Sequence, residues 1–257
     1  HTATYCNITN NTPYYPGPEV TSVDTSIYKQ PIKWYNMRVY NNYVHDIGND
    51  GIQIAAADTV DVRNNEVANW ATKHSFNDNG GILIGGRVKG FHVHYNYVHD
   101  GWGEMLQIYA QGGSTWMNLV DTNLLVHNEG EGISMKPTDE LLVTIRQNTI
   151  AYTGAHTIRL NGFFDTVTVK PIHILEKNIF AQPTETPYIY TENNAFYVEG
   201  TAPNQDLKYL LASSVDWNES NWFQPNTGSP AVGYGYIRSS PPPPPSSGGF
   251  KIRKHSH

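Results

Sequence analysis

Charged side chains are scarce in this chain, yet Glu104, Glu129, Glu131, Lys136, His156 and Arg159 gather in one stretch of it. Only 16% of the 257 residues are charged, against about 25% in an ordinary soluble domain. Carboxylates beside a Lys and an Arg suit two chemistries. They can hold a cation while a base removes a weakly acidic proton, or they can hydrogen-bond the hydroxyls of a sugar. Trp102 and Tyr109 fall in the same stretch and offer flat faces on which sugar rings stack. A second set is His45-Asp46, His99-Asp100 and His127-Asn128. Three His on one edge would suit a metal. Their plainer role is as polar turn residues that bond local backbone.

A repeat is what lines these residues up. The phrases around Val39-Tyr-Asn-Asn42-Tyr-Val44, Val62-Arg-Asn-Asn65-Glu-Val67 and Val93-His-Tyr-Asn96-Tyr-Val98 share one pattern. Its anchoring Asn recurs at 42, 65, 96, 123, 148 and 178. A second phrase follows the anchors: Gly51-Ile-Gln-Ile54, Gly81-Ile-Leu-Ile84, Met105-Leu-Gln-Ile108, Gly132-Ile-Ser-Met135 and Thr157-Ile-Arg-Leu160. It reads apolar–polar–apolar, the period of a half-buried strand. Gly at its head suits a tight corner. Repeats of this length, with at least two short strands each and no helical period, imply a stacked solenoid. Coils about 4.8 Å apart would put Ile and Val inside, with Asn amides bonding along the stack at a corner.

Stacking converts sequence into columns. Ile52, Ile82, Leu106, Ile133 and Ile158 define the reference. The adjacent outward column is Gln53, Leu83, Gln107, Ser134 and Arg159, and two positions further comes Ala55, Gly85, Tyr109, Lys136 and Asn161. The corner column before the reference is Asp50, Gly80, Glu104, Glu131 and His156; two residues earlier lie Gly48, Asp78, Trp102, Glu129 and Gly154. Lys136 and Arg159 are then roughly 8 Å apart at Cα, a gap that brackets one sugar unit. Trp102, Glu104, Gln107, Tyr109 and His156 are the expected substrate contacts. The plainer reading pairs Glu129 and Glu131 with Lys136 and Arg159 on a solvated face, where such pairs are worth little.

On this pattern the sequence resembles the right-handed parallel β-helix proteins of the pectate-lyase-like superfamily, over about residues 36–180. Ser229-Pro-Ala-Val232 looks like the phrase that closes many such domains. The resemblance implies an all-β, single-stranded solenoid with irregular caps. It says little of function, because this fold hosts lyases, hydrolases, adhesins and phage spikes. A narrower resemblance covers about 35 residues. Glu129-Gly-Glu131-Gly-Ile-Ser-Met-Lys136, with Arg159 one coil later, is similar to the core of polysaccharide lyase family 6, the chondroitinase B-like and alginate lyases. That resemblance implies Glu129 and Glu131 as Ca²⁺ ligands, Lys136 as base and Arg159 as acid in a β-elimination. Two departures stand out. An Asn and an Arg usual one coil earlier are replaced by Gly101 and Gln107, so the calcium site lacks one ligand.

The organisation read from composition is a cap or flank over 1–35 and a β-helix with its closing region over 36–237. A Ser/Pro/Gly linker over 238–249 and a basic tail over 250–257 follow. The net charge of −6 argues against nucleic acid as partner, and no apolar run approaches the roughly 20 residues of a membrane span. Cys6 alone makes no internal disulfide. The chain starts at His1, as a processed chain or a fragment does. Asn7, Asn10 and Asn218 head glycosylation sequons. The expectation is an extracellular or cell-surface domain that binds or cleaves an anionic or neutral polysaccharide, with Ca²⁺ as cofactor in the lyase case. The alternative is a structural or adhesive module of a filament, fibre or spike, self-associating through its ends or tail.

Overall fold

The computed structural model describes residues 8–9, 34–74, 79–86, 88–110, 117–135, 142–160, 172–181, 189–191, 197–200, 217–218, 222–229 and 231–236. Lys136, Asp78, Asn161, Asn7, Asn10, the linker and the tail lie outside them.

Each repeat makes three short strands, and like strands stack in parallel from coil to coil. The first sheet runs through Trp34–Tyr40, Ala57–Arg63, Lys89–His94, Asn118–Asp121, Thr144–Arg146, Ile172–Glu176 and Tyr197–Gly200. The second holds Tyr43–His45, Glu66–Ala68, Tyr97–Gly101, Leu124–Asn128, Thr149–Thr153 and Ile179–Ala181. The third holds Ile52–Ile54, Ile82–Ile84, Leu106–Ile108, Ile133–Met135, Ile158–Leu160 and Ile189–Thr191. The chain is therefore an all-β parallel solenoid.

The core is a set of apolar columns, one or two per sheet. Val39, Val62, Val93, Val120, Ile145 and Leu175 are in register on the first sheet. Val44, Val67, Val98, Leu125, Ile150 and Phe180 match on the second. Ile52, Ile82, Leu106, Ile133 and Ile158 match on the third, the register expected from the sequence. All are buried. β-branched side chains suit this geometry, because a like residue above and below fills the pleat.

The anchoring Asn residues turn the corner from the first sheet to the second. Each side-chain amide donates to the Oδ1 of the Asn one coil on, at 2.8–3.0 Å from Asn42 through Asn178. Each Oδ1 also accepts the backbone N–H of the Asn before it. These six side chains are at most 3% exposed, so the ladder satisfies polar groups that burial would otherwise leave unpaired. The bend itself is made by the preceding residue. Asn41, Asn64, Tyr95, Thr122, Gln147 and Lys177 all adopt φ between 52° and 57°, a left-handed conformation that costs roughly 1 kcal/mol or more for most side chains.

The glycines heading the second phrase serve a purpose other than a tight turn. A Cβ on Gly51 would stand 2.5 Å from the Gly81 carbonyl, and one on Gly132 would stand 2.5 Å from that of Thr157. Close approach of successive coils is what excludes a side chain there.

At the start, Ile8–Thr9 pairs antiparallel with Arg38–Val39, which covers an otherwise open sheet edge. The region after residue 181 was expected to close the far end. Of its described part, Ile189–Thr191 and Tyr197–Gly200 continue the third and first sheets, and 222–229 with 231–236 lie along the flank. Phe223 and Tyr236 pack on Leu124, Val126, Ala151 and Ala181, which point outward from the second sheet. The Gly235 N–H donates to the Lys177 carbonyl, and the Tyr236 N–H donates to Thr149 Oγ1. Asn218 sits in a short strand paired with Gln224–Pro225.

Candidate functional site

The corner between the second and third sheets carries most of the residues singled out from the sequence. A second left-handed column makes this bend: Asp46, Asn69, Asp100, His127 and Tyr152, with φ between 50° and 59°. A left-handed residue at the end of a strand throws its side chain outward. Unlike the Asn corner, nothing here repeats. The next position is Ile47, Trp70, Gly101, Asn128 and Thr153 on successive coils.

Trp70 is the largest fully buried side chain at this corner, and its indole N–H donates to the Asn79 carbonyl at 2.9 Å. Gly101 lies directly above it. A Cβ on Gly101 would stand 2.2 Å from the Trp70 ring, so only glycine lets the two coils close over the indole. The surface above is indented. A cleft of about 540 Å³ is lined by Trp102, His74, His127, Tyr152, Asp100 and Glu129, with Asn69, Thr72 and Asn128 between them.

Two aromatic pairs wall this cleft. The Trp102 and His74 rings stack at 4.8 Å and 6°. Those of His127 and Tyr152 stack at 4.5 Å and 2°. Among the described residues the lining offers two carboxylates, four side chains with amide or hydroxyl groups, and no Lys or Arg.

The outer face of the third sheet adjoins the cleft. Glu104 and Glu131 stack on neighbouring coils, with the Met105 N–H donating to the Glu131 carbonyl. Burial, and secondarily the charge of Glu131, pushes the Glu104 carboxyl above its ordinary pKa. Gln107 donates to Glu104 Oε2 and to Asn79 Oδ1, both at 2.7 Å. Arg159 donates to Glu131 Oε1 at 2.8 Å. Burial raises the Tyr109 hydroxyl, which is hydrogen-bonded to Ser134. The face is thus a polar patch whose charges answer one another.

Among the described residues the expected columns hold with one change. The Trp102 N–H donates to the Trp70 carbonyl, so Ala71 lies beneath Trp102, where the sequence alignment had placed Asp78. Glu104, Gln107, Tyr109, Glu131 and Arg159 come together, while Glu129 and Trp102 face the cleft instead. His156 follows Glu131 in the corner column, its carbonyl accepting from the Gly132 N–H. Lys136 lies outside the described residues. For calcium, the three carboxylates are divided: Glu131 holds Arg159, Glu104 holds Gln107, and Glu129 lines the cleft. As arranged, that donor set does not fit a calcium ion.

The three His-polar pairs do not converge either. His45 and His99 are each bonded to the following Asp, at 2.8 and 2.7 Å, and His99 also to Glu66 at 3.3 Å. His127 belongs to the next column, since His99 registers with Val126. Sequence reasoning missed His74 and Tyr152 as cleft walls. It also missed His92 and His94, although two His two apart on an apolar-alternating stretch is a readable signal.

A family model described as the right-handed β-helix region matches residues 32–202. No curated protein and no solved structure matches the chain. The coil register set by the Asn ladder and this match agree over most of the chain, which belongs to the right-handed β-helix family.

Proposed function

We propose that the protein binds a neutral glycan in the cleft between the second and third sheets. The paired aromatic walls, Trp102 with His74 and Tyr152 with His127, carry this reading. Flat rings take the apolar faces of sugars, and carboxylates and amides between them accept and donate to hydroxyls. Asp100 and Glu129, with no Lys or Arg among the described lining residues, repel a uronate and favour an uncharged or amino sugar. A ligand of this kind accords with a place at the cell surface or outside the cell.

Isothermal titration against a panel of neutral and amino-sugar oligosaccharides tests this. Trp102→Ala and Tyr152→Ala should each weaken binding about 10-fold or more. No binding across the panel, or affinity unchanged in both variants, overturns it.

β-Elimination on a uronate chain is the second reading. One observation favours it: Arg159 stands over Ser134 on the coil above, beside the Glu104–Glu131 pair. Unsaturated-uronate absorbance from alginate, pectate or chondroitin sulfate B, lost in Lys136→Ala and Arg159→Ala, would establish it over the binding-only reading.

A further inference from the structure

The first sheet takes no part in the cleft, yet its outer face carries a compact polar cluster. His92 and His94 are two residues apart on one strand, so both imidazoles project from the same face. Asp61 is in register with His92 from the coil before, and Asp121 with His94 from the coil after. The hydrogen bonds cross these pairs. His92 Nε2 is 2.9 Å from Asp121 Oδ1, and His94 Nε2 is 2.9 Å from Asp61 Oδ1. The crossing draws the two rings into a stack at 3.7 Å and 7°.

We propose that His92, His94 and Asp121 bind a divalent transition-metal ion of the zinc type, bridging the third and fourth coils. One ligand atom from each lies within 4.8 Å of the other two. Two ligands of a tetrahedral zinc, each about 2.0–2.1 Å from it, stand roughly 3.3 Å apart. His92 Nε2 and Asp121 Oδ1 are already near that spacing, and the His94 ring turns out of the stack to bring its own lone pair to an ion that replaces the proton between them.

The surroundings support the same assignment independently. Asp61 is bonded to one nitrogen of His94, Nε2. Arg63 is bonded to Asp61 in turn. Arg146 donates Nε and Nη2 to Asp121 Oδ2, at 3.3 and 3.1 Å, leaving Oδ1 toward His92. A carboxylate behind an imidazole and a guanidinium behind a carboxylate fix ligand orientation as outer partners in metal sites do. The side chains of His92, His94, Asp61 and Asp121 are only 10–20% exposed. Two imidazoles and one carboxylate select zinc-like ions over calcium or magnesium, which prefer oxygen ligands alone. Three protein ligands leave a fourth position for water.

The test is zinc titration of the full, chelator-stripped chain, with cobalt as the spectroscopic probe. Wild type should take up one Zn²⁺ at this site, show cobalt d–d bands, and gain several degrees in thermal midpoint. The double variant His92→Asn/His94→Asn should lose all three effects, and Asp121→Asn should bind at least about 10-fold more weakly. His1, His255 and His257 remain in these variants, so zinc held only by the termini persists in them; binding unchanged in the double variant overturns the proposal. If that variant does not fold, diethylpyrocarbonate labelling of wild type decides. Zinc must protect His92 and His94, and equal labelling with and without zinc overturns the proposal. The outcome is independent of glycan binding at the cleft.

Discussion

The two corners of each coil that flank the second sheet solve the same problem in opposite ways. Both bend the chain with a column of left-handed residues. At the first, an Asn follows on every coil, and its donors and acceptors are consumed by the Asn above and below. At the second, Ile47, Trp70, Gly101, Asn128 and Thr153 follow, and no two neighbours are alike. A periodic corner saturates itself and presents little to a ligand. An aperiodic corner leaves steps between coils, and the step from Trp70 to Gly101 undercuts the cleft. Function in a solenoid is therefore best sought where the repeat fails.

The largest test of this contrast is Asn123→Leu. The side chain is fully buried. Its loss removes the acceptor of the Asn96 backbone N–H and one acceptor of the Asn96 amide, and the side-chain donor to the Val93 carbonyl and to Asn148 Oδ1. We expect a loss of about 3 kcal/mol or more, read as a fall in the denaturant midpoint. A variant as stable as wild type would show that the ladder is decoration.

Gly101→Ala should come next, at about 2 kcal/mol, because a methyl there meets the Trp70 indole and overpacking has that typical cost. It should also impair glycan binding. An unchanged melting temperature would mean that the second corner yields easily.

A smaller effect is expected at Glu104. Its folded-state pKa is raised, so its contribution to stability is present below the ordinary glutamate value of 4.5 and is lost as pH rises through the raised value. Glu104→Gln should thus lift the thermal midpoint by about 1–3 °C near neutral pH and by nothing in acid. An equal shift at both pH values would break this assignment.

The smallest effect is at the bend itself. Tyr95 is exposed and left-handed, with φ 54°. Tyr95→Asn, which tolerates that conformation, should stabilise by about 0.5 kcal/mol in chemical denaturation. A destabilisation would show that the ring contributes more than its strain costs.

Much of this architecture was legible because burial imposes period. The Asn at 42, 65, 96, 123, 148 and 178, and the register of Ile52 through Ile158, followed from the repeat alone. The third strand was hidden. Val39 to Val44 reads as one extended phrase, yet it bends at Asn41, and no glycine marks any of the six equivalent bends. Tyr95, Thr122 and Lys177 are residues from which a left-handed turn is not inferred. At the site, the neighbours Glu104, Glu131 and Arg159 were readable as columns. The cleft was not, because Tyr152 and His74 reach it through irregular conformations and an interruption of the repeat after Ala71.

The segment 222–236 gives the solenoid a direction in time. It is made after the coils it grips, and it touches several of them at once, from Tyr97 through Val126 and Ala151 to Lys177. Stacked coils otherwise hold only their immediate neighbours and can fray singly from an end. With this buckle fastened, the later coils must open together or not at all. Fraying is thereby steered to the early coils, and a protease working on the native protein should find its first cuts there.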